Sequence, residues 1–84
     1  MKLTVELLKK ASIEANRKEG GVYIVEQNGE PNIIINSAGE NAVRTCNVVI
    51  QHIAIDEIQY NNLIYRNEQL NLQDFCDKVN EEYA

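Results

Sequence analysis

From the amino end, apolar residues recur at Leu3, Leu7, Leu8, Ala11 and Ala15. They fall within about 140° of arc at 100° per residue, while Lys9, Lys10, Arg17 and Lys18 lie mostly elsewhere. This spacing predicts an amphipathic helix with Thr4 as its cap. Glu6 suits the positive first turn, Arg17 and Lys18 suit the negative last turn, and Gly20-Gly21 supplies a stop. Val5 and Ile13 fall off the stripe, either as contacts to a sheet or as an exposed patch.

The pattern then changes to β-rich runs around Asn28-Gly29, a dipeptide that supplies the two φ > 0 positions of a type I′ turn. Strands over 22–27 and 30–36 follow. A two-residue turn pairs Gln27 with Glu30, and so sets Ile24 opposite Ile33, Tyr23 opposite Ile34 and Val22 opposite Ile35. Pro31 falls in a non-hydrogen-bonded pair, where its missing N–H points away from the first strand. The second strand is therefore an edge near the turn.

Ser37-Ala-Gly-Glu40 has the capping-box pattern. Beyond it Ala42, Val43, Cys46, Val49, Ile50, Ile53 and Ala54 share one stripe about 140° wide, with Gln51 and His52 on the other side. A helix across 42–54 is the expectation. The density of Val, Ile and Thr favours the alternative, a strand. Residues 56–67 read as a second short hairpin turning at Asn61-Asn62, because Asn tolerates the left-handed region. Leu72, Phe75, Cys76, Val79 and Tyr83 recur at helical spacing behind Asn71, an N-cap, which predicts a closing helix over 72–82.

These elements, in the order α-β-β-α-β-β-α, describe one α+β domain over residues 1–84, with helices packed on one face of a small antiparallel sheet. At 84 residues there is no room for separate substrate and cofactor domains. The proportions of hydrophobic residues, 44%, and charged residues, 25%, are those of a globular chain rather than a disordered one. No apolar run has the length of a signal peptide core or a membrane span, so a soluble, cytoplasmic protein with reduced Cys46 and Cys76 is expected.

Charge changes the picture further. The net charge is -5 from 13 acidic and 8 basic residues, which disfavours direct binding to nucleic acid, whose affinity rests on Lys and Arg. The last segment is the acidic pole: residues 68–84 hold five carboxylates and one lysine.

Candidate chemistry narrows by spacing. Within their own element Cys46 and His52 stand too far apart for a nucleophile and its base, about 20 Å on a strand or 9 Å along a helix. His52 and Asp56 could meet, but such a pair holds no nucleophile. Three isolated Cys and His residues do not make a zinc site, which needs four ligands with paired close spacing. No glycine-rich phosphate cradle is present, and the four tyrosines have no basic residues interleaved for base stacking. No cofactor, metal or catalytic residue is expected.

The function expected is therefore a small, acidic, non-enzymatic protein-interaction module. Glu57, Asp74, Asp77, Glu81 and Glu82 form its partner-binding face, directed at a basic surface. In its concrete form the module is an inhibitor that blocks a nucleic-acid-binding groove by imitating phosphate charge. Its size, acidity and Asn-, Ile- and Glu-rich composition resemble those of small phage-encoded proteins, so a phage-type anti-defence protein is the concrete version expected. One alternative is a homodimer or assembly subunit joined through the edge near Pro31 or through Val5 and Ile13. A second is a small-ligand binder or minor enzyme using Cys76, His52 and Asp56.

Overall fold

The structure, a computed structural model, describes residues 2–36 and 48–84. Its first element, α1 (Val5–Arg17), is capped as expected: Thr4 stays extended and its hydroxyl accepts the Leu7 N–H at 3.1 Å. Leu8, Ala11 and Ala15 are buried, Val5 packs against the core, and Ile13 points outward. The helix stops differently from the expectation. Glu19, not a glycine, takes the left-handed conformation at φ 52°. Its N–H reaches the Asn16 carbonyl, and the Gly20 N–H reaches that of Ala15 at 2.8 Å, closing a Schellman turn.

Strands β1 (Gly21–Gln27) and β2 (Glu30–Asn36) pair antiparallel in the expected register, from Gln27 opposite Glu30 to Val22 opposite Ile35. Asn28 and Gly29 have φ values of 54° and 78°, as a type I′ turn demands. Among the described residues β2 lies at the sheet edge, because the strand order is β2-β1-β3.

The helix expected across 42–54 is not formed at residues 48–53. These residues are β3 (Val48–Ile53), antiparallel to β1. The physical reason is a β-bulge. Gln51 pairs with Ile24 and Val49 with Val25, leaving Ile50 as the extra residue. The insertion lets Ile50 and Ile53, three apart, both reach the core, so a strand imitates helical spacing. Val49, expected to face inward, is exposed. The Ser37 cap, residues 42–47 and Cys46 lie outside the described residues.

The second hairpin also differs from the expectation. Residues assigned to its first strand instead form the short helix α2 (Ile55–Gln59), whose first turn is held by the Glu57 carboxylate accepting the Ala54 N–H at 2.9 Å. Asn61 adopts φ 55° and ends α2, with the Asn62 N–H reaching the Glu57 carbonyl at 3.0 Å. The hairpin follows as β4 (Leu63–Tyr65) and β5 (Glu68–Leu70), turning at Arg66-Asn67, both with positive φ.

The closing helix α3 (Leu72–Glu82) forms where predicted, and the Asn71 side chain accepts the Asp74 N–H at 2.8 Å. A second amide, Asn61 Oδ1, accepts the Leu72 N–H at 2.8 Å and ties the end of α2 to the start of α3. Among the described residues the order is thus α-β-β-β-α-β-β-α, and the class is α+β. α1 packs on β1 and β2 and meets both α2 and α3. Leu8, Val22, Ile24, Ile53, Phe75 and Val79 are fully buried in one apolar cluster. Asn80 fastens the amino end to α3: its Oδ1 accepts the Leu3 N–H at 2.7 Å, and its Nδ2 donates to the Leu3 carbonyl at 2.8 Å.

An acidic stripe as candidate interaction surface

The site begins with the amphipathicity of α3. Leu72, Phe75, Cys76 and Val79 are buried. Asp74, Asp77 and Glu81, at i, i+3 and i+7, fall within about 60° of arc on the opposite side of the helix and span about 10 Å along it. All three residues are exposed. Asp77 Oδ1 accepts from Gln73 Nε2 at 3.0 Å, a contact along the helix surface that leaves the carboxylate in solvent.

The other two residues of the expected face do different work. Glu57 caps α2 through its own carboxylate. Glu82 accepts the Tyr65 hydroxyl at 2.7 Å and pairs with Arg66 at 3.1 Å, clasping the β4–β5 hairpin to α3. Arg66 lies 5.3 Å from the centroid of the Tyr65 ring, which in turn meets Phe75 edge-on at 5.2 Å. Burial first, and the Glu82 hydrogen bond second, push the Tyr65 phenol up to about 12.

Asp77 and Glu81 also line an open cleft of about 560 Å³ between the start of β2 and the end of α3. Glu30, Pro31, Asn80 and Lys2 complete much of its wall. Glu30 was not legible as part of this surface, because 47 residues separate it from Asp77 and only the hairpin's place in the fold brings it near. Three carboxylates and one ammonium in an open cleft suit a cationic group better than an anion.

The residues considered for catalysis are dispersed. Cys76 is a free, fully buried thiol in the helical core, and burial, with a smaller contribution from Asp77, pushes it up to about 11. It is therefore a protonated, inaccessible thiol near neutral pH. His52 lies on the opposite face of the sheet, stacked on Tyr23 with ring centroids 4.5 Å apart and planes 20° apart. The sheet separates its ring from Cys76. A Cβ on Gly21 would stand 3.0 Å from His52 Nε2, so the bare backbone there accommodates the imidazole. Asp56 is exposed in α2.

Among the described residues, no group of three His, Cys, Asp or Glu side chains is placed to hold a metal ion, and no helix is long and apolar enough to cross a membrane. Comparison with known proteins finds no matching family model, no matching curated protein and no matching solved structure.

Proposed function

We propose that this protein is a non-enzymatic, cytoplasmic interaction module that docks onto a basic surface of a partner through the outer side of α3. The observation that carries this reading is the alignment of Asp74, Asp77 and Glu81 directly opposite the buried stripe, beside a cleft to which Glu30 adds a further carboxylate. Glu57 and Glu82, whose carboxylates hold local structure, sit outside the centre of the surface.

In its concrete form the partner is a nucleic-acid-binding protein and the module an inhibitor of phage type. One strand of a duplex carries a charge about every 3.4 Å, so a stripe of about 10 Å covers the length of three to four phosphates with the same sign of charge. The module needs no catalytic group for such a role. Immobilised wild type and Asp74→Lys/Asp77→Lys/Glu81→Lys test it by affinity capture with quantitative mass spectrometry. The expected result is a basic, nucleic-acid-binding protein retained by wild type at about 0.1 M salt. It should be absent from the variant and released at about 1 M, where the screening length falls from ~10 to ~3 Å. Retention by both baits at both salt concentrations would sink the proposal.

A second reading, a homo-oligomeric subunit, is favoured by a separate observation. Val48, Val49 and Ile64 are large exposed aliphatic residues, and the Gln51 side chain bonds the Ile64 carbonyl at 2.9 Å, which brings β3 and β4 together. The β2 edge near Pro31 is less suited to this role, since Pro31 is buried and Val5 packs against the core. Sedimentation separates the two readings: a dimer insensitive to salt and lost in Val48→Lys/Ile64→Lys supports the subunit, and a monomer excludes it.

A further inference from the structure

No further inference is drawn: the strongest candidate, the cleft between the start of β2 and the end of α3 lined by Glu30, Asp77 and Glu81, belongs to the surface already proposed for docking, and nothing in the structure shows what fills it.

Discussion

Glu19 occupies a left-handed position that ordinarily suits glycine, and it does so one residue before the glycine pair that marks the helix stop in the sequence. An L residue in that conformation costs roughly 1 kcal/mol relative to glycine. Glu19→Gly is therefore expected to stabilise the fold by about 0.5–1 kcal/mol, less the entropy that glycine adds to the unfolded chain, read from the urea midpoint. Glu19→Val should lower the same midpoint.

Two buried groups set the alkaline limit. Cys76 is raised from 9.0 to about 11 and Tyr65 from 10.0 to about 12, so the fold favours the neutral form of each. As pH rises the unfolded chain releases these protons first. Stability is fully present below the ordinary values and falls through the windows from 9.0 to about 11 and from 10.0 to about 12. Urea midpoints measured across this range should decline in wild type and decline less in Cys76→Ala/Tyr65→Phe. An equal decline in the double variant would exclude these groups as the cause. The burial of Cys76 was legible from its place among Leu72, Phe75 and Val79. The position of His52 over Gly21 was not, because it depends on strand pairing.

At the scale of elements, asparagine does much of the joining. Asn61 both ends α2 at positive φ and caps α3 through its side chain. Two substitutions separate those roles. Asn61→Gly keeps the backbone conformation and loses the hydrogen bond, at a cost of about 1 kcal/mol. Asn61→Ala loses both and should cost about 1 kcal/mol more. Equal urea midpoints for the two variants would contradict the double role. Asn80→Ala leaves the partly buried Leu3 N–H and carbonyl without their partner and should cost about 2 kcal/mol by the same measurement.

The elements with local signals were the legible ones: Thr4 and Asn71 as caps, and Asn28-Gly29 as the turn that sets the whole β1–β2 register. β3 departs from the helical expectation because its signal is not local. The bulge at Ile50 exists only against β1, and it converts an i, i+3 pair into two residues on one strand face. Asn61 does take the left-handed conformation that asparagine tolerates, but there it serves a helix end rather than a hairpin turn. The turn falls instead on Arg66-Asn67, where Arg66 gives little advance signal of positive φ.

For the whole molecule, the α+β class followed from the alternation of helical and strand patterns, and the acidic pole followed from counting charges. How that pole divides was beyond the sequence. Periodicity places Asp74, Asp77 and Glu81 together, but only the fold shows Glu82 turned to Tyr65 and Arg66, Glu57 closing α2, and Glu30 across the cleft. The consequence is a sharper surface, in which three exposed carboxylates can change sign without disturbing the core. Asp74→Lys/Asp77→Lys/Glu81→Lys should cost at most about 1 kcal/mol of stability, most of it from losing Asp74 in the first turn of α3.

The most direct measurement is a calorimetric titration of the captured partner against wild type and this variant, with circular dichroism showing that both are folded. The account predicts that the variant binds at least about tenfold more weakly, and that the wild-type Kd rises steeply with salt. Equal affinities for two folded proteins would contradict it.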